Sequence, residues 1–458
     1  MVHLEGRRKR LNIIDLKNEH PEKFGRFVMA LSNLIDSPDW SRICGIHGNT
    51  FMPGDEGVLC PTDPKVVQVI SQTGEPVYCK HSVFPFIAWH TPYVYQFELL
   101  LNKYDNSKHR SEWDYITLPY LDLTNFNDDF TFMNAPTITV FYDKKRITVD
   151  NPLSGAYYYV DGVKTKTTRN GYLTPTNEKQ FIQLSVVKKQ LNNALYASSY
   201  ERFSSASGES VDYVPLESPH NTLHNVIGGD GGNMADIGIS AFDPIFWLHH
   251  CNMDRHYYTW TYNNTHHFDR PLSKKQISDT TLAATCAPFF SKYIYSKNFD
   301  KYSYGWTNAG RDYMLLKEVL QLDRFPYTYD IILPDAFTSV TSYVNLLNIS
   351  VPLESMNICV YFHALGEPLN RTTHFAGSVS WFGINRKVRA CHRCEVSRIN
   401  LQVDISEFIS KNGINASNVD NWLVIVEGDG QLINGSSGYA RYGLHDILNG
   451  GTYKLVIA

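Results

Sequence analysis

The sequence predicts an α + β protein: a mainly α-helical core followed by a small antiparallel β-sandwich. Three observations predict it. At 458 residues the chain is too long for one ordinary domain. Its first two-thirds holds amphipathic stretches and histidines at helical spacing. From about Asp330 the pattern changes to short alternating runs, at 338–345, 356–362, 378–382, 399–403, 422–426 and 453–457, with Gly, Asn and Asp turns between them. The expected divisions are therefore a core over 1–325, a linker over 326–335 and a sandwich over 336–458.

Taken in order, the first helix expected is Pro21–Ile35, which leads to Gly45-Ile46-His47-Gly48. On its own His47 reads as a loop histidine. The run from Cys79 to Tyr93 carries His81 and His90, nine positions apart. On one helix that spacing, at about 100° per residue, sets them on opposite faces. They converge only if one lies outside the helix, and Pro85 suggests a helix that starts after His81. In Ser218-Pro219-His220-Asn221-Thr222-Leu223-His224 the HxxxH pair puts two imidazoles on one face, a turn apart. Ser218 is a suitable N-cap and Pro219 a suitable first helical residue. Phe242 to Arg255 is apolar on both sides of His249-His250, so a helix there buries them. Phe246, His250 and Asp254 share one face, and His249 points about 100° away.

A buried imidazole needs a partner, and a metal is one. No glutamate follows His220 in an HExxH pattern, which argues against a zinc peptidase. Catalytic zinc commonly adds a carboxylate or thiolate to its histidines. Two adjacent sets of three histidines and no carboxylate fit two copper ions that bind O2 between them.

The residues from about Arg10 to about Trp306 resemble type-3 copper proteins, specifically fungal tyrosinases and polyphenol oxidases. GIHG resembles the motif of the first copper-A histidine, and CKHSVFPFIAWHTPY resembles the family's C-x-H…WHRPY. ESPHNTLHN and FDPIFWLHHCNMDR resemble the two copper-B motifs, and Tyr302-Ser303-Tyr304-Gly305 the tyrosine-rich turn that closes the core. The resemblance implies a four-helix bundle holding a dicopper centre, with ligands His47, His81, His90, His220, His224 and His250. It implies a thioether between Cys79 and His81, where the residues alone allow a buried free thiol. It implies a water-holding glutamate at Glu217 and an asparagine at Asn221 that orients that water, which favours ortho-hydroxylation of monophenols as well as oxidation of o-diphenols. Phe246 is expected to stack on the substrate ring or to pack in the core. Asp254 is expected to orient an imidazole or to pair with Arg255 or a nearby basic residue. Lys80 and Thr91 depart from the family's Thr and Arg, at positions that are not ligands.

Long fungal relatives carry a C-terminal domain that covers the site until it is cleaved, so the resemblance also implies a latent enzyme and an activating protease. Phe382, in Trp381-Phe382-Gly383, is the expected ring that fills the substrate pocket, with Trp381 the next choice; a core aromatic of the sandwich is the competing reading. Cys391-His392-Arg393-Cys394 is a CxxC without a second one, which supports a structural zinc poorly. In related proenzymes such a pair helps load copper.

The implied substrates are small phenols such as L-tyrosine, L-DOPA and catechols, with O2. A net charge of −4 suggests no nucleic-acid or membrane-surface partner. The chain has no run of eighteen apolar residues, and its polar, basic start is unlike a signal peptide, so a cytoplasmic location is expected. Two other readings stay open: a catechol oxidase that cannot hydroxylate phenols, and an oxygen carrier like haemocyanin.

Overall fold

Two separate apolar cores organise the chain in a computed structural model that describes residues 7–48, 79, 81–108, 114–160, 162–205, 214–266, 272–290, 313–322, 325–335, 342–350, 355–383, 398–415, 417–418, 421–429 and 452–456. The first core runs from Ile13 to Tyr329 and the second from Val344 to Val426. Tyr302–Gly305, Lys80, Cys391 and Cys394 lie outside the described residues.

The fold is α + β, as expected. Helices α1 (Ile13–Glu19), α2 (Pro21–Ile35), α3 (Pro38–Gly48), α4 (Phe86–Lys103), α5 (Glu178–Ala194), α6 (Glu217–Gly228) and α7 (Pro244–Thr265) dominate the first part. Helix α2 is amphipathic and buries Phe24, Phe27, Val28, Leu31 and Leu34 at helical spacing. Helices α4 and α7 are buried nearly all round, which places them at the centre of this core. Two small hairpins, Thr137–Tyr142 with Lys145–Asp150 and Tyr157–Val160 with Val163–Lys166, decorate it. Among the described residues no helix is long and apolar enough to cross a membrane.

The segment expected as a linker is packed rather than strung between domains. Strand β1 (Arg8–Lys9) pairs in parallel with β2 (Tyr327–Thr328). The rings of Tyr327 and Tyr329 are buried, and both hydroxyls donate to Asp254 Oδ2 at 2.8 Å. Arg10 fills the space between these strands and α4. It bonds Glu98 at 2.7 Å, Asp254 at 3.2 Å and the Tyr329 hydroxyl at 2.6 Å, with its guanidinium 3.5 Å from the Tyr327 ring centre.

Two antiparallel three-stranded sheets make the second domain. Strands β3 (Tyr343–Ser350), β4 (Met356–Ala364), β5 (Phe375–Trp381), β6 (Arg398–Asp404), β7 (Trp422–Asp429) and β8 (Thr452–Val456) pair in the orders β5-β4-β7 and β6-β3-β8. The first strand is described from Tyr343, and 338–341 of the expected run lie outside the described residues. Ser342, just before it, is tied to the far sheet end, accepting from Ile405 N and receiving the Ser406 hydroxyl at 3.1 Å each. The sheets meet at Gly377, where a Cβ would lie 2.3 Å from the Asp404 carbonyl oxygen, so a side chain there would push them apart.

Candidate metal centre

Four helices and one loop bring seven of the seventeen histidines together. Helix α3 ends in His47-Gly48, so His47 is helical rather than a loop residue. A Cβ on Gly48 would sit 2.2 Å from the Gly238 carbonyl oxygen. Only glycine lets this helix end abut the segment whose Ile237 carbonyl accepts from His47 Nδ1 at 2.9 Å. Helix α4 starts at Phe86 behind Pro85, leaving His81 on the approach loop and His90 inside the helix. Ser82 takes a positive φ of 56° and turns that loop inward.

Helix α6 corrects an expected boundary. It starts at Glu217 with Leu216 at the N-cap and no side-chain cap, not at Ser218 with Pro219 first. The Glu217 carboxylate instead accepts from Ser82 N at 2.6 Å and from the Ser205 hydroxyl, which draws the residue into the first turn. His220 and His224 follow one turn apart, both fully buried. Helix α7 starts on an Asp243 side chain that caps Ile245 N at 3.0 Å, with Pro244 at the first position, and it presents His249 and His250.

The ring nitrogens are oriented from behind. His47, His90 and His224 each donate Nδ1–H to a backbone carbonyl, of Ile237, Phe86 and Met234 at 2.9, 2.7 and 2.8 Å. His220 Nδ1 meets Asn221 Oδ1 at 2.9 Å. Each ring therefore turns an Nε2 lone pair inward. His250 Nε2 lies 3.3 Å from His220 Nε2 and 3.2 Å from His224 Nε2. Three ring nitrogens converging at this distance suit a cation between them. His47 Nε2 is buried without a hydrogen-bond partner, as is His250 Nδ1. The donors form two groups whose atoms lie within 4.8 Å of one another: His47, Cys79, His81 and His90; and His220, His224, His249 and His250. Neutral imidazoles, with no carboxylate in either group, suit copper.

Cys79 lies against both copper-A-side rings. Its Sγ is 3.5 Å from His81 Nδ1, 3.8 Å from His81 Nε2 and 3.4 Å from His90 Nε2. The sulfur is thus nearly equidistant from the two nitrogens of His81. Phe246 is fully buried, and its ring leans on His250 (4.1 Å between centroids) and His47 (4.8 Å), so it packs on the imidazoles themselves. Among the described residues Asp254 bonds no imidazole. Its partners are Arg10, Thr91, Tyr327 and Tyr329, and only Thr91, beside His90, links it to the centre. The basic partner is not Arg255, which pairs with Asp122 and Asp330, but Arg10, more than two hundred positions away, which no local signal announces.

The second domain caps the front of the centre. Phe382 is 2 % exposed and stacks on His224 at 4.1 Å and 23°, with its ring 5.4 Å from His81, edge to face. Trp381 is only half-buried, and its carbonyl accepts from Asn225 on α6 at 3.1 Å. Ile237 N donates to the Gly383 carbonyl at 2.9 Å, and Lys189 on α5 pairs with Asp404 at 2.6 Å.

Burial holds these imidazoles neutral. It pushes His47 down to about 4, and with neighbouring imidazoles it drives His81, His90, His220, His224 and His250 well below the ordinary range. An unfolded chain takes up these protons near pH 6.5, and the native one does not. The metal-free protein therefore loses stability as pH falls below about 6.5, and for His47 the loss ends near pH 4. His47 alone contributes on the order of 3 kcal/mol to this loss. Melting of the metal-free chain at pH 7.5 and pH 5 tests this; a flat profile would contradict it.

A profile of the common central domain of tyrosinase matches residues 38–263. A tyrosinase of Podospora anserina is 27 % identical over 343 residues, covering 62 % of this chain and 57 % of that one. The chain spans about half the length of the curated relatives it matches. Recombinant mushroom tyrosinase has the same fold, with a TM-score of 0.67 at 20 % identity over 94 % of this chain and 92 % of that one. So does the holo-protyrosinase of Aspergillus oryzae, with a TM-score of 0.66 at 17 % identity over 98 % and 95 %.

Proposed function

Because this chain belongs to the tyrosinase family of type-3 copper proteins, we propose that it is a latent tyrosinase: a copper oxidoreductase that hydroxylates monophenols in the ortho position and oxidises o-diphenols to o-quinones with O2. The convergence of the His220, His224 and His250 nitrogens carries this reading. His47, His81 and His90 would hold one copper ion and His220, His224 and His250 the other. When bound, the pair supplies O2 activation and two-electron oxidation. The backbone carbonyls behind His47, His90 and His224 fix which nitrogen faces inward, and Phe246 keeps two of the rings from rotating.

A monophenol must lose its proton as it reacts. Glu217 and Asn221 flank His220 on α6, and the Glu217 carboxylate is nearly buried, at 4 % exposure. This supports a role in holding the water that takes the proton. Glu217→Gln should lower L-tyrosine hydroxylation about a hundredfold, the scale of general-base catalysis, while L-DOPA oxidation falls much less. Equal loss of both would point to a purely structural anchor of the His81 loop through Ser82.

Cys79 supports a thioether with His81. Its formation removes one hydrogen from the thiol and one from the ring carbon, and O2 at the copper pair is the oxidant. The intact chain loaded with copper in air should then weigh two hydrogens less than its metal-free form, and Cys79→Ala should abolish the difference.

Phe382 supports latency, since it occupies the side of His224 that faces the second domain. Cleavage between the domains is the expected activation, by a protease left open here. Copper loading, proteolysis and separate assays with L-tyrosine and L-DOPA test the whole reading. Turnover of L-DOPA alone would make the chain a catechol oxidase, and turnover of neither an oxygen carrier.

A further inference from the structure

The second metal group has one imidazole more than a three-nitrogen copper site uses. His249 belongs to it with His220, His224 and His250. Its ring stacks on His220 at 5.1 Å and 22° and meets His224 edge-on at 4.7 Å. It is 1 % exposed, and its Nε2 has no hydrogen-bond partner in the protein. A buried polar atom left in this state costs about 1–3 kcal/mol, so a fold that keeps one at a metal site invites a reason.

The face of α7 that carries His249 continues with Asn252 and His256, one and two turns on. Asn252 is fully buried, and neither its Oδ1 nor its Nδ2 has a partner. His256 donates Nδ1–H to the Asn252 carbonyl at 2.9 Å, which leaves its Nε2 lone pair free, and it is 5 % exposed. Asp122 and Arg255 act on it electrostatically, and both line a surface hollow of about 310 Å³ with Asp15 and Asn125. Imidazole and amide donors thus extend along α7 from the back of the centre to His256, whose chain neighbour Arg255 lines the hollow. The front is closed by Phe382 on His224.

We propose that His249 is a hand-over ligand: copper reaches the second site from the α7 side, is taken by His249, and passes to His220, His224 and His250. This rests on the dicopper reading above and adds the route by which the covered protein is loaded. No covalent change is involved; a neutral imidazole gives up the ion to three others within 4.8 Å.

Metal-free full-length chain, with the second domain attached, is mixed with Cu(I) held by a colorimetric chelator, and copper transfer is followed by absorbance. Wild type should take two copper ions. His249→Phe should take the same two, with unchanged melting of the metal-free form, but fill the second site about tenfold more slowly or worse, the lower end of what outer-shell partners of metal ligands contribute. His256→Phe should slow the same phase. Adding Phe382→Gly to His249→Phe should restore the fast phase by opening the front, a rescue that a general structural defect would not show. Should the phenylalanine variant unfold, His249→Gln takes its place. Loading at the wild-type rate overturns the proposal, and so does a final content of one copper, which would make His249 a permanent ligand. Wild type that binds fewer than two copper ions overturns the dicopper reading instead.

Discussion

Phe382→Gly in the uncut, copper-loaded chain should raise L-DOPA turnover by about tenfold or more, without proteolysis. Among the described residues, the ring's stacking on His224, 4.1 Å between centroids, is tighter than its pairings with His81 and His220. An aromatic pair of this kind is worth about 0.5–1.5 kcal/mol beyond its burial. Burying the side chain adds about 1.5–3 kcal/mol. A factor of ten needs only about 1.4 kcal/mol, so losing the ring is enough if the domain otherwise stays docked. The bonds that keep it docked do not involve this side chain: Asn225 to the Trp381 carbonyl, Ile237 N to the Gly383 carbonyl, and Lys189 to Asp404. Size-exclusion chromatography and intact mass should therefore match the wild type. Unchanged latency would shift attention to Trp381.

Arg10→Leu should destabilise the core by roughly 3–5 kcal/mol, the scale of breaking a buried ion pair from one side. It strips Asp254 of its Arg10 partner and leaves Glu98 with Arg8 at 3.4 Å, and both carboxylates are almost completely buried. Burial works against the Arg10 charge, and Glu98 with the surrounding groups outweighs it, raising its pKa well above the usual value. A lower urea midpoint with unchanged slope is the expected reading. The triple change Arg10→Leu, Glu98→Leu, Asp254→Leu should recover part of that loss, because an apolar replacement leaves no unpaired charge behind. A triple variant weaker than the single one would mean that the tyrosine hydroxyls and Leu118 N, which bond these carboxylates, matter more than the charges.

The centre was legible because its chemistry is written locally. His220 and His224 are one turn apart, Pro85 separates His81 from His90, and the doublet on α7 sits in an apolar run. The sandwich was legible through alternation, and all six strands lie at or near the expected runs. What the sequence hid is long-range. Nothing near Arg10 predicts Glu98, Asp254 and Tyr329 as its partners, so Asp254 looked free to orient an imidazole and 326–335 looked like a tether. Likewise the start of α6 depends on Ser82 and Ser205, which reach Glu217 only in three dimensions, and this overrode the local capping preference of Ser218. Helical spacing sets His249 about 100° from His250, but the angle alone does not reveal that α6 brings His220 and His224 to meet it.

The parallel pairing of Arg8–Lys9 with Tyr327–Thr328 sets a timetable for biogenesis. On the ribosome, at roughly 5–20 residues per second, the second strand follows the first by about 15 s to a minute. Until then Arg10 and Glu98 wait without Tyr327 and Tyr329, and α4 and α7 lack the clasp that closes over Asp254. The nascent chain thus carries its imidazoles for some time as a loose, metal-hungry collection, and the sandwich that will shield them is made only after all of them.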